Sequence, residues 1–525
     1  MKKLFLSTLS LILALSLCAG CSSATPGAPD TDPVTDAVSE STAAITDEGA
    51  ETTSAATEAQ TELVTLPETI PETTPDTTPD TTPETEAAPV ATLNGVALSE
   101  FVVVYDYEAE EDAAYGLHAA QYVQEQILAR TGVELTLVED NADGVYAHEI
   151  VVGETNRDIS ARLDADTEGM QFAILAEDGK IALEGDYFII AAAAYFFVET
   201  YVPVDCLDMV VPAEVKIHDP IVEDARNYIL MIGDGMGVNQ TKLFEMFEND
   251  VPYSDGEELF YGYYFPYAGF ARTDSLSGTT DSAAAGTALS SGYKTINGYV
   301  GQDAEHNEIQ SLTELAGSLG MGSAVMSTEG STGATPASFS AHANGRGDES
   351  DILSDQRALR KTYGTIVDCG FDFYTEKLVE NRLRSHLREN LEELYENEKG
   401  FFMMFEEAYI DKHSHNNEAD KTFQAVTRFN QAIGVVMEYA FYHPDTFGLI
   451  TADHEPGALL PDGNGGYAYN SGDHSNADVP VFAYGDGGEL FHGKTIENIQ
   501  IPQTIASFMG VTDFGDQSVY TYLTE

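Results

Sequence analysis

Five short apolar runs dominate the second half of this chain: NYILMIGDGMG, GMGSAVMS, GFFMMFEE, FGLITADHE and VPVFAYG. Each breaks off into glycine or polar residues, and helical stretches separate them. The clearest helix runs from about Glu418 to Tyr442, where Phe423, Val426, Phe429, Ile433, Val436 and Met437 recur at helical spacing. Strands that are apolar without alternation are buried on both faces, so the pattern predicts an α/β fold with a largely parallel sheet covered by helices. Ligands of such sheets bind beyond the carboxyl ends of the strands.

Those ends carry metal-binding residue types. Asp234 follows the first run, Glu406 closes the third with Asp411 and His415 just beyond it, and Asp453 and His454 follow the fourth, while His474 in SGDHSNADV adds an imidazole. Carboxylate and imidazole together suit zinc, whereas carboxylate with hydroxyl or water oxygen suits magnesium. Taken singly, each residue is more often a turn or a cap. Their convergence on one sheet edge is what points to metal, because buried carboxylates without a partner are costly. Ser282 follows Asp281 and opens an alanine-rich helix in TDSAAAGTALSSG. A helix amino terminus stabilises both a phosphate and a serine alkoxide, although either residue also serves as an ordinary cap.

The segments TDSAAAGTA, IGDGMG, STGATPASFSAH, EEAYIDKHSH, TADHE and DHSNADV, in the places they occupy over residues 225 to 525, resemble the alkaline phosphatase family. The resemblance implies an alkaline-phosphatase-like three-layer sandwich that hydrolyses phosphate monoesters through a phosphoserine on Ser282, with two Zn2+ and one Mg2+. It implies that Asp411, His415 and His474 hold one zinc and that Asp234, Asp453 and His454 hold the second, beside Ser282. Asp234 would also bridge to the magnesium, with Thr335 and Glu406. Arg346 would clamp the phosphate through a bidentate pair. Lys412 would lie beside the phosphate, and His342 and His413 would be structural or exposed. At one position the chain departs from the pattern: Gly333 stands where relatives carry an acidic residue or a histidine near the magnesium. Phosphodiesterases, sulfatases and mutases share the metal scaffold. SAAAG lacks the sulfatase nucleophile context, while Thr335 and Glu406 favour three metals and monoesters. A surface-tethered binding protein without catalysis is the alternative from another class.

Upstream, residues 94–222 read as a small α/β accessory domain. FVVVYDY, VELTLV and EIVVGE are strands. The segment AAYGLHAAQYVQEQILART is a helix whose apolar face carries Leu117, Tyr122, Ile127 and Leu128. FAILAEDGKIALEG is a hairpin turning at Asp178-Gly179, and YFIIAAAAYFFVETYV is a buried helix. This region is similar to the small domain that precedes the catalytic domain of several glycoside hydrolases. Residues 223–525 form the catalytic domain.

The first ninety residues read differently. Lys2 and Lys3, the apolar run from Leu4 to Leu17 and the small-residue site at Cys18-Ala-Gly-Cys21 form an export signal over residues 1–21. The run is shorter than the roughly 20 residues of a spanning helix. Its end resembles a bacterial lipobox, except that Cys18 stands where the pattern has leucine. That resemblance implies a lipid on Cys21 holding the protein on the outer face of the cytoplasmic membrane. Residues 22–93, which include PETTPDTTPDTTPETE, lack the apolar content of a core and read as an extended, disordered stalk. The net charge of −64 argues against nucleic acid as a partner. Cys206 and Cys369 are expected to be free, buried thiols. The sequence leaves open whether two copies pair as a homodimer.

Overall fold

The computed structural model describes residues 90–106, 114–142, 144, 146–163, 169–249, 259–370 and 376–524. The expected export signal, the Cys21 expected to carry a lipid and nearly all of the expected stalk lie outside the described residues.

Two sheets organise them. The first has six strands: β1 (Phe101–Tyr105), β2 (Thr136–Glu139), β3 (His148–Val152), β4 (Phe172–Glu177), β5 (Lys180–Glu184) and β6 (Glu214–His218), in the order β2-β1-β3-β5-β4-β6. Its helices are α1 (Tyr115–Thr131) and α2 (Ile189–Tyr201). The β4–β5 hairpin turns at Asp178 and Gly179, both at positive φ, as a tight two-residue hairpin requires. The face that α1 buries agrees in part with the expected one: Ile127 is buried and Leu117 and Tyr122 pack half-buried against the core. Tyr115, Ala119, Ala120, Val123 and Ile127 are buried, whereas Leu128 is exposed. Helix α1 packs against α2, with Ala119 and Ala120 buried on the same helix as Val123 and Ile127.

The second sheet has eight strands: β7 (Asn227–Gly233), β8 (Tyr267–Arg272), β9 (Gly322–Ser327), β10 (Ile366–Cys369), β11 (Phe401–Glu407), β12 (Thr446–Thr451), β13 (Val479–Tyr484) and β14 (Thr495–Glu497). Their order is β10-β9-β11-β7-β12-β13-β8-β14, and β13 alone runs against the rest. Every residue of β7, β11 and β12 is buried, as their apolar runs require, and the burial extends to Glu406 and Glu407 at the end of β11. The helices used below are α3 (Val238–Asn249), α4 (Ser282–Ser291), α5 (Ala334–Ser340), α6 (Tyr409–His415) and α7 (Ala419–Tyr442). On α7 all the expected apolar residues are buried except Phe423, which is half-buried. Helices α3, α6 and α7 pack as one group and α4 and α5 as another, which gives the α/β sandwich its layers.

The two sheets share one apolar core. Phe188 beside α2 packs against Phe441 of α7 with ring centres 5.9 Å apart, and Tyr122 of α1 stacks on Tyr442 at 4.4 Å. His118 Nδ1 lies 2.8 Å from Glu438 across the same junction. Cys206 and Cys369 are free, as expected, but both are half-buried rather than buried, and burial pushes the Cys369 thiol pKa up.

Candidate functional site

The strand register builds the site. Ile232 of β7 pairs with Glu406 of β11 on one side and with Thr451 of β12 on the other, and Ser327 of β9 also pairs with Glu406. Asp234 and Asp453, each two residues past a paired position, therefore leave the sheet level with one another. The chain turns sharply after Asp234 at Gly235, whose φ is +71°, and a Cβ there would come within 2.8 Å of Asp411 Cα. Glycine is needed on both counts. The Gly235 N–H donates to Asp453 Oδ1 at 2.9 Å, which orients that carboxylate. His474 reaches the same edge because β13 is antiparallel, so it is the approach to β13, not its end, that faces the site.

Asp281 caps α4, accepting the Ala284 N–H at 3.0 Å, and Ser282 is the first helical residue. Its hydroxyl is buried at the helix amino terminus, with Oγ 3.2 Å from His454 Nε2. All ten residues of α4 are buried, and Gly286 lets the helix lie close against Thr335 and Ser338 of α5.

Two ligand clusters flank the serine. In the first, Asp234, Asp453 and His454 are all buried, with His454 Nε2 at 3.2 Å from Asp453 Oδ2 and 3.6 Å from Asp234 Oδ1. In the second, His415 Nε2 stands 3.3 Å from Asp411 Oδ1 and 3.0 Å from His474 Nε2, and His474 Nε2 stands 3.6 Å from the same Asp411 oxygen. His474 stacks on His454, with ring centres 3.6 Å apart, so Asp411, His454 and His474 form a further grouping within metal-binding distance. The clusters thus adjoin rather than standing apart.

Hydrogen bonding shows what the second cluster lacks. His415 Nδ1 faces the Gly472 carbonyl at 2.6 Å and His474 Nδ1 faces the Thr280 carbonyl at 2.7 Å. Each Nδ1 must donate to its carbonyl, which leaves both Nε2 atoms as acceptors aimed at one point. Two such acceptors 3.0 Å apart fit a cation between them. Asp234 Oδ1, Asp411 Oδ1, Asp453 Oδ2, Glu406 Oε1 and Thr335 Oγ1 are likewise buried without a hydrogen-bond partner. Without a cation, burial and mutual repulsion raise the Asp234 and Glu406 pKa values well above the carboxylate range, and burial takes Asp411 to about 6 and Asp453 to about 7. Burial, with His474 and His415 nearby, keeps the His454 pKa well below the usual imidazole value. A neutral imidazole is the form that binds metal.

Arg346 is half-exposed at the rim, its Nη1 3.3 Å from Asp281 Oδ2. The cap residue therefore also aims the arginine, a second role that chain separation hides from a reading of the sequence. Lys412 pairs with Glu329 at 2.5 Å and lies over the Tyr409 ring. His342 is half-buried against Asp355 and the Ile309 carbonyl, and His413 pairs with Glu418; neither belongs to the ligand clusters.

A sequence model of the alkaline phosphatase family matches residues 225–372 and 367–468. Alkaline phosphatase 4 of Bacillus subtilis is 26% identical over 295 residues, covering 46% of this chain and 64% of its own length. Alkaline phosphatase 3 of the same organism is 24% identical over 302 residues, with coverages of 47% and 65%. The chain therefore matches just under two thirds of these relatives. The solved alkaline phosphatase of the Antarctic bacterium TAB5 is 27% identical, with 55% of this chain and 99% of that one covered at a TM-score of 0.48. Residues 225–468, which carry Ser282 and every candidate ligand except His474, match the alkaline phosphatase family.

Proposed function

We propose that this protein hydrolyses phosphate monoesters through a phosphoserine formed on Ser282. One observation carries the reading: a buried serine hydroxyl at a helix amino terminus stands beside two clusters of carboxylate and imidazole groups, in which Asp234 Oδ1, Asp411 Oδ1 and Asp453 Oδ2 are buried without a hydrogen-bond partner. The residues fit the ions that the family uses. Asp411, His415 and His474 would hold one Zn2+, Asp234, Asp453 and His454 the second, and Asp234, Thr335 and Glu406 the Mg2+. When bound, the ions supply the positive charge that favours the serine alkoxide and offsets charge on the departing oxygen.

The protein's own groups do the rest. The α4 amino terminus presents its free N–H groups to the phosphate. Arg346, steadied by Asp281, engages two phosphate oxygens. Ser282 Oγ bonds to phosphorus as the ester P–O bond breaks and the alcohol leaves; water then cleaves the phosphoserine, releasing inorganic phosphate and restoring the hydroxyl. The export signal and Cys21 support placing this chemistry outside the cell, on a lipid-anchored protein. Among the described residues no helix is long and apolar enough to cross a membrane.

Hydrolysis of p-nitrophenyl phosphate and its bis ester by the full chain, before and after chelation and metal readdition, tests this reading. The monoester should be preferred, and Ser282→Ala should cut its turnover by roughly 10³ or more. Faster diester turnover would reassign the substrate class, and a fully metallated protein inert to both would remove the enzyme reading for these substrates.

A further inference from the structure

Gly333, where the chain departs from the family pattern near the third cation set, sits in ordinary backbone at φ −55° and ψ 154°. Its conformation does not call for glycine. What glycine provides there is room: a Cβ on residue 333 would overlap the carboxylate of Glu329. Glu329 thus fills, from four positions upstream, the space that a side chain at 333 would otherwise take.

Glu329 is firmly placed. Its N–H donates to Ser327 Oγ at 3.0 Å, its carbonyl accepts from the Gly370 N–H at 2.6 Å, and Lys412 Nζ lies 2.5 Å from Oε2. The Ser327 hydroxyl in turn donates to Glu406 Oε2, so one serine links the Glu329 backbone to the Glu406 carboxylate. On the other side of that carboxylate, Glu406 Oε1 and Thr335 Oγ1 are fully buried and without partners.

We propose that Glu329, paired with Lys412, supplies the acidic group of the third cation site in place of a side chain at position 333, and so fits that site to magnesium. The inference rests on reading Asp234, Thr335 and Glu406 as a cation site. Magnesium keeps several of its waters, and those waters need carboxylate acceptors close by. Glycine at 333 offers none, and Glu329 brings one to the same place. Lys412 offsets the added charge by pairing with Glu329.

The test is calorimetric titration of Mg2+ into the full chain already carrying zinc, with Mn2+ electron paramagnetic resonance as an independent readout. Glu329→Gln keeps shape and removes charge. It should weaken Mg2+ binding by roughly 10-fold or more while the bound zinc stays at the wild-type level. Glu329→Ala alone should weaken it similarly, and Glu329→Ala with Gly333→Asp should recover binding to within about threefold of wild type, because the acidic group is moved and not lost. If Glu329→Gln binds Mg2+ within about twofold of wild type, Glu329 is only the counter-ion of Lys412 and the proposal fails. If the zinc-loaded wild type takes up no third ion, the site itself is refuted whatever Glu329 does.

Discussion

Gly235 couples backbone to chemistry at a single residue. Its positive φ and its 2.8 Å approach to Asp411 Cα mean that Gly235→Ala must shift either the turn after β7 or the segment that carries Asp411. We expect a loss on the order of 2–4 kcal/mol, measured by denaturant unfolding, together with weakened zinc retention. His342 is the clearest pH-sensitive residue outside the candidate metal clusters. Burial alone would lower its pKa, but Glu314 and Asp355 overcome this and raise it to about 9. A histidine raised from 6.5 to about 9 stabilises the fold fully below pH 6.5 and loses that contribution as pH climbs through 9. Stability should therefore fall between pH 6.5 and 9 by at most about 3 kcal/mol from this group, and His342→Gln should flatten that part of the profile. A wild-type profile unchanged by the substitution would contradict it. At this scale the candidate ligands Asp234, Glu406, Asp411, Asp453 and His454 were legible because each closes or follows an apolar run. Glu329 was not legible, since nothing local to STEGSTG shows that Glu329 folds back over Gly333. Nor was the Asp281–Arg346 pair, whose partners lie 65 positions apart.

The junction of α1 and α7 shows how the elements of the two sheets are joined. A Cβ on Gly434 of α7 would overlap the hydroxyl of Tyr115 at the start of α1, and that hydroxyl is buried without a partner. Tyr115→Phe should be neutral or stabilising, because it removes an unsatisfied buried hydroxyl. Gly434→Ala should cost about 1–3 kcal/mol by overpacking, and less in the Tyr115→Phe background. Simple additivity in that double-mutant cycle would show that the two helices do not meet as described. Strands were legible as apolar runs, and α7 by its period. The buried face of α1 was legible only in part: Ile127, Leu117 and Tyr122 face the core, but Leu128 is exposed and the small Ala119 and Ala120, which a size-weighted period passes over, are buried. Equally, an apolar run does not reveal its direction: VPVFAYG reads like the parallel strands yet runs against them, and this reversal is what delivers His474.

Across the whole molecule, a net charge of −64 and buried carboxylates without partners both make the metal-free protein self-repelling. Chelation should lower Tm by on the order of 5–10 °C, and zinc should restore it more fully than added salt, which screens the surface but leaves the buried site unchanged. Equal recovery by salt would mean that the clusters bind no structural ion. The central claim, that Ser282 is the nucleophile between these clusters, is tested most directly by rapid acid quench of the zinc-loaded and magnesium-loaded full chain turning over p-nitrophenyl phosphate, followed by peptide mass spectrometry. One phosphoryl group on Ser282, lost on chelation and absent from Ser282→Ala, is the predicted result. Label on another residue, or monoester turnover that Ser282→Ala leaves undiminished, would contradict the account.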